Sequence, residues 1–146
     1  MTIKKEVSAG GIVYKKEGEN ILWLATQHSQ HKGWVFPKGL VGDQIADEPI
    51  ETAALREVEE EGGVQAKIMS PSPITVSYSY LWNDVQVDKT VHYFLMKYSS
   101  GDPKNHDWEM MDARFMGKEE IKKILTYSSD KQAFEQILTL FSSQDT

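Results

Sequence analysis

The stretch Gly39–Val64, GLVGDQIADEPIETAALREVEEEGGV, decides how the chain is read. Its second half predicts a helix from Pro49 through Glu61. A proline in the first turn loses nothing by lacking an N–H, because the first helical N–H groups have no partner. Ala53, Ala54 and Leu55 favour the helix, and Gly62-Gly63 stop it. At about 100° per residue, Glu57, Glu60 and Glu61 share one arc with Glu59 outside it. Leu55 and Val58 fall on a separate apolar face, with Ala54 at its edge. Like charges at i, i+4 repel, the negative end of the helix disfavours carboxylates, and no lysine follows. Each term costs a few tenths to about 1 kcal/mol, and a divalent cation reverses the sign of every one. A solvated acidic face is the alternative. The crowding instead reads as a metal site of hard oxygen donors, suited to Mg²⁺ or Mn²⁺.

Gly42, Glu48, Arg56-Glu57-Val58, Glu60-Glu61, Gly63 and Val64 stand at the spacing G-x5-E-x7-R-E-U-x-E-E-x-G-U, with U aliphatic. The pattern resembles the Nudix box. The resemblance implies Glu57, Glu60 and Glu61 as metal ligands, with Glu57 as ligand or general base. It also implies an Arg56–Glu48 ion pair that holds the preceding loop against the helix. In many family members the glycine of Pro-Lys-Gly opens the box. Here Pro37-Lys38-Gly39 lies three residues before Gly42. The loop either carries a three-residue insertion or is re-routed. The insertion is the favoured reading, and Gly39 rather than Gly42 then lends its carbonyl to the metal.

Outward from the box, 146 residues suffice for one domain with a real core, taken as 1–146. A composition of 40% hydrophobic and 26% charged residues is that of a soluble globular chain. The net charge of −6 argues against a broad electrostatic grip on extended nucleic acid, though not against a metal-bound polyphosphate. With no cysteine, disulfides and thiolate metal sites are excluded. No apolar h-region or membrane-length segment is present, so a cytoplasmic protein is expected.

Lys5–Tyr14 reads as a strand whose Gly10-Gly11 marks a bulge or a close backbone approach. A turn over Glu17–Asn20 leads to a second strand, Ile21–Gln27, in a hairpin. His28–Gly39 follows as a loop with Trp34-Val35-Phe36 extended before Pro37, and His28 and His31 read as solvated loop histidines. Gln65–Met69 predicts a strand. Ile74–Leu81 alternates, with Tyr78 and Tyr80 on the apolar side. After a turn at Trp82-Asn83-Asp84, Val85–Tyr98 returns, apolar on both faces around Lys89–Leu95 and therefore central. Ser99–Asp107 is a polar loop, and Ala113–Met116 a short strand. Two packing helices close the chain, Lys118–Leu125 and Asp130–Phe141, the latter with Ser129 as its N-cap.

The segments SAGGIV, GWVFPKG, TVHYF and LTYSSDKQAFEQIL are similar to the diadenosine polyphosphate hydrolase branch of the Nudix family. That resemblance makes Lys38 and Lys89 substrate contacts and Glu109 a further metal ligand or base. Phe115 stands where the branch usually has tryptophan. Tyr78, Tyr80 and Tyr93 are candidate stacking surfaces for a base. Expected, then, is an α/β protein, an α/β/α sandwich with a mixed sheet between helices. The expected reaction is Mg²⁺- or Mn²⁺-dependent hydrolysis of a diphosphate linkage in a small nucleotide, with a dinucleoside polyphosphate as substrate. A triphosphate pyrophosphatase, an RNA 5′-pyrophosphohydrolase and a non-catalytic nucleotide sensor are the alternatives. Oligomeric state and the identity of the base stay open.

Overall fold

The protein is described by a computed structural model covering residues 2–42 and 46–144. In chain order the elements are β1 (Ile3–Glu17), β2 (Asn20–His28), β3 (Trp34–Val35), β4 (Lys38–Leu40), α1 (Ile50–Gly62), β5 (Val64–Ile68), β6 (Ile74–Trp82), β7 (Val85–Gly101), a 3-10 turn at Pro103–Asn105, β8 (Met110–Gly117), α2 (Lys118–Ile124) and α3 (Ser128–Gln144). All eight strands form one mixed sheet. Its spine is the parallel pairing of β1 with β7, from Ile3 opposite Gln86 to Tyr14 opposite Lys97. The other pairings are antiparallel: β2 and β4 on β1, β5 and β6 on β7, and β3 and β8 on β2.

The sheet is covered on both faces. On one, Ala53, Ala54 and Val58 of α1 pack with Ala9, Val13, Leu24, Phe94 and Met96. On the other, Ile121 of α2 and Phe134 and Ile137 of α3 pack with Trp23, Phe36, Val91 and Leu95. Trp23 meets Phe134 edge-on, centroids 5.3 Å apart. Each such fully buried side chain contributes roughly 1.5–3 kcal/mol of hydrophobic stabilisation. This is the expected α/β/α sandwich, with β7 central as its two-sided apolar run requires.

Between bulge and close approach at Gly10-Gly11, the second holds. A Cβ on Gly10 would lie 2.1 Å from the Pro37 carbonyl oxygen, and one on Gly11 would lie 2.7 Å from Val58 Cγ2. The pair lets the Phe36-Pro37-Lys38 segment and α1 both close on β1.

Several local expectations are corrected. Lys38–Leu40 is a strand, β4, where the sequence suggested loop, because Ser8–Gly10 of β1 offers it a ladder. Pro49 is the N-cap of α1 and not in its first turn; its backbone is extended (φ −62°, ψ 148°). Leu55 is 37% exposed and leaves the apolar face to Ala53, Ala54 and Val58. α3 begins at Ser128, so Ser129 lies inside the helix and does not cap it. β7 runs on to Gly101 and β8 starts at Met110, both longer than the sequence pattern indicated. At the end of α1, Gly63 takes the left-handed conformation (φ 75°) that a Schellman-like stop requires.

Candidate active site

α1 lies against β1 and β4 so that its acidic arc faces the Pro37-Lys38-Gly39 segment. Arg56 is the hub of the cluster. Its Nε and Nη2 donate to Glu48 Oε2 and Oε1 at 2.9 and 3.0 Å, a two-pronged pair. Its Nη1 reaches Glu57 Oε1 at 2.7 Å and Glu60 Oε2 at 3.3 Å. The guanidinium holds Glu48 below the usual carboxylate range, with a smaller contribution from the Gly42 backbone. The expected Arg56–Glu48 clamp is therefore present. Arg56 also supplies a cation to the arc: no basic residue lies in the last turn of α1, but this one reaches forward to Glu57 and Glu60.

Beyond Arg56, the Lys38 charge acts on Glu61 but does not outweigh its burial. Glu57 and Glu61 are buried, 7% and 6% exposed. Burial pushes the Glu57 carboxyl up, against the pull of Arg56. Burial, then repulsion from Glu57, pushes Glu61 up to about 8. The Lys38 backbone N–H, donating to Glu61 Oε1 at 3.2 Å, offsets only part of this. The charge of Glu109 acts on both groups in the same unfavourable sense, as the smallest of the influences on each.

Gly39 is set directly against this cluster. A Cβ there would lie 2.2 Å from Glu57 Cδ, so any side chain would displace the carboxylate. Gly42 instead sits in an exposed turn at φ 79° and holds Glu48. Of the two glycines, Gly39 is the one at the acids. Residues 43–45 lie outside the described residues, so the choice between an inserted and a re-routed loop falls there. As they stand, no three acidic or histidine side chains among the described residues converge on one point, since Glu57 and Glu60 are turned onto Arg56. The donor set is nonetheless entirely oxygen, with Glu57 and Glu61 buried and a backbone cradle free of Cβ. It fits a hard divalent ion.

Glu61 also opens into a cavity of about 640 Å³ that holds most of the other candidates: Lys38, Lys89, Tyr78 and Tyr80 all line it. Burial lowers the Lys89 ammonium, and repulsion by Lys38 adds to it, so both lysines bear on one space. An anion placed there relieves the repulsion.

Tyr93 is a correction. It is 1% exposed and packs with Phe36, its OH donating to Asp130 Oδ1 at 3.0 Å, so no base can stack on it. The period-2 pattern turned it toward the α3 side with Tyr78, but α3 covers that end of the strand.

Sequence reasoning missed part of the pocket wall. His28 and His31, read as unrelated solvated residues, stack at 4.3 Å with rings 8° from parallel and line the cavity. His31 Nδ1 accepts from the Gly33 N–H at 3.0 Å and faces the Tyr127 hydroxyl at 2.9 Å. Burial, then His28 and Lys38, lowers its pKa. Asp130, 3% exposed in the first turn of α3, forms part of the wall as well. Burial raises its carboxyl, opposed first by Lys38 and then by the hydrogen bonds from Tyr93 and the Phe36 backbone. The only sequence signal for these residues was their polarity in loops and at a helix start.

Comparison with known proteins bears on the family and the fold. The model of the NUDIX domain family matches residues 4–137. A Mycobacterium tuberculosis (strain CDC 1551 / Oshkosh) protein bearing the name mutator protein MutT4 is 28% identical over 102 residues, 70% of this chain and 40% of the relative, so the match spans less than half of that protein's length. Among solved structures, the binary complex of a C. elegans Ap4A hydrolase superposes with a TM-score of 0.71 at 24% identity, covering 94% of this chain and 98% of that one. The NUDIX domain of Shewanella oneidensis NrtR, complexed with ADP ribose, gives 0.69 at 17% identity, covering 94% and 88%. At these identities the structural likeness is one of fold. No helix among the described residues is long and apolar enough to cross a membrane.

Proposed function

This chain belongs to the Nudix family, and from that premise we propose that it is a divalent-cation-dependent hydrolase of dinucleoside polyphosphates such as diadenosine tetraphosphate. The observation that carries the reading is one shared space. The buried carboxylate of Glu61, the ammonium groups of Lys38 and Lys89 and the rings of Tyr78 and Tyr80 all face the same cavity. A chain of phosphates ending in a planar base satisfies the three kinds of group at once.

In this reading Glu57, Glu60, Glu61, Glu109 and the Gly39 carbonyl hold Mg²⁺ or Mn²⁺. The bound ion supplies charge neutralisation on the phosphate oxygens and an acidified water for in-line attack on phosphorus. Arg56 and Glu48 keep the Gly39 segment and α1 in register through their paired hydrogen bonds. Lys38 and Lys89 draw the phosphates toward the acids, and Tyr78 and Tyr80 offer faces for the base. Glu57, its carboxyl raised by burial, is the alternative as general base, taking the proton of the attacking water in place of a ligand role. Water adds to one phosphorus and the neighbouring bridging oxygen leaves, so diadenosine tetraphosphate yields ATP and AMP.

Product analysis of diadenosine tetraphosphate incubated with Mg²⁺ tests the proposal. Turnover no better than that of plain nucleoside triphosphates overturns it. The similarity to the MutT4-named protein favours a second reading, a triphosphate pyrophosphatase, with action on RNA 5′-triphosphate ends as its variant. Release of pyrophosphate and monophosphate from simple triphosphates selects that reading. A purely sensory module is disfavoured because the chain keeps Glu57, Glu60 and Glu61 together.

A further inference from the structure

The sheet has several outer strands, and all but one are blunted. β3 has 2 residues and β4 has 3. β5 carries Lys67 and an irregular register between Gln65 and Ala66. β8 carries Asp112 and Arg114 and is bulged opposite Gln27 and His28. Short length, charge and bulges are the devices that keep sheet edges from pairing with other chains. β6 has none of them. It runs 9 residues, ITVSYSYLW, with no charge and no proline, in unbroken register from Ile74 opposite Tyr93 to Trp82 opposite Val85. Among the described residues it pairs only with β7. Its far end also shows Tyr80, Leu81 and Trp82 at 41%, 69% and 65% exposure.

We propose that the free edge of β6 is a dimer interface, pairing antiparallel with β6 of a second copy of this chain. The strand is complementary to itself. With the two-fold axis at Tyr78, Ile74 stands opposite the partner's Trp82, Val76 opposite the partner's Tyr80, and Ser77 opposite the partner's Ser79. The exposed aromatic residues then meet the apolar ones, and hydroxyl meets hydroxyl, the cross-strand pairs that stabilise antiparallel sheets. Each copy is the same patch, as an isologous contact requires. The self-complementary pairing selects a second copy as the occupant, and it is compatible with a net charge of −6 because β6 itself contributes no charged side chain.

Sedimentation equilibrium tests the proposal on the full chain at about 100 µM, where interfaces of micromolar affinity are filled. The wild type is expected at twice the chain mass. The Ser77→Lys, Ser79→Lys double variant places lysines opposite each other across the axis and is expected to run as a folded monomer, with an unchanged far-ultraviolet circular dichroism spectrum. The chain has no cysteine, so cross-linking reads the register without background. Tyr78→Cys is expected to form an intermolecular disulfide on mild oxidation, and Asp84→Cys, at the hairpin turn, is not. A monomeric wild type overturns the proposal. So does a dimer that survives the lysine pair, or cross-linking equally efficient at both cysteine positions.

Discussion

The acidic cluster and the pocket wall beside it are built in opposite ways. The cluster is local: Glu48, Arg56, Glu57, Glu60 and Glu61 come from one loop–helix unit, and α1's periodicity alone puts most of them on one side. The wall is assembled from segments far apart in the chain, with Lys38 from β4, Tyr78 and Lys89 from paired strands, and Asp130 from α3. Chemistry held mostly on one helix needs chiefly that helix, with the Lys38-Gly39 backbone of β4 set against it. Recognition held by four elements depends on every packing contact between them. The two regions should therefore fail differently when altered, the first in kcat and the second in KM.

The largest effect is expected from Glu60→Gln. Turnover should fall about a thousandfold, since a neutral amide is a poor ligand for a hard cation. The fold should be spared, because Glu60 is partly exposed and its contact with Arg56 is the longest in the cluster, 3.3 Å. Steady-state kinetics and a thermal melt check this together. Activity unchanged beside a normal melt would remove the cluster from the reaction.

Metal removal gives the next largest effect. Glu61 is held near 8 in the fold against 4.5 for an ordinary glutamate, so between those values the folded state keeps a proton that the unfolded chain releases. Stability of the metal-free protein is then greatest at the low end of this window and falls as pH rises toward 8, by roughly 4 kcal/mol. Glu57 and Asp130, raised for the same reason of burial, act in the same direction. Denaturant melts in chelator at pH 5, 6, 7 and 8 measure the slope. Saturating Mg²⁺ should flatten it, and Glu61→Gln should flatten it without metal while stabilising the protein at pH 8. A slope of opposite sign would mean that Glu61 has a cationic partner other than metal.

The same contrast explains how much was legible beforehand. α1, β7 and the sandwich followed from period and composition, because they depend on burial along one element. The Arg56–Glu48 clamp followed from the family pattern, and the paired hydrogen bonds give it a physical reason. The pattern left Gly39 and Gly42 both open, because its spacing fits Gly42 while Pro37-Lys38-Gly39 lies upstream. What escaped was non-local. The stacking of His28 on His31 depends on the Gly33 and Tyr127 contacts that fix one ring. β4 exists only because β1 offers it a ladder, and Leu55 faces water because Ala53, Ala54 and Val58 suffice to cover α1's buried side.

On the wall, Lys89→Met keeps the aliphatic stem and removes the charge. It should raise KM for diadenosine tetraphosphate about thirtyfold, roughly 2 kcal/mol for a charge-assisted contact, with kcat changed far less. Equal losses in kcat and kcat/KM would move Lys89 from recognition to the chemical step.

Tyr93 supplies the smallest and most discriminating test, since it lies in sequence among the wall residues and in space within the core. Tyr93→Phe deletes one hydroxyl and leaves Asp130 Oδ1 without its 3.0 Å donor. The expected cost is about 1 kcal/mol of stability, the usual worth of one buried hydrogen bond, with KM within about twofold of the wild type. Tyr78→Ala should do the reverse, raising KM while the melt moves less, because Tyr78 is only partly buried and borders the cavity. If Tyr93→Phe instead raised KM as much as Tyr78→Ala, the phenol that steadies Asp130 would belong with it to the recognition surface and not to the packing beneath. The boundary between wall and core would then have to be drawn one strand residue deeper.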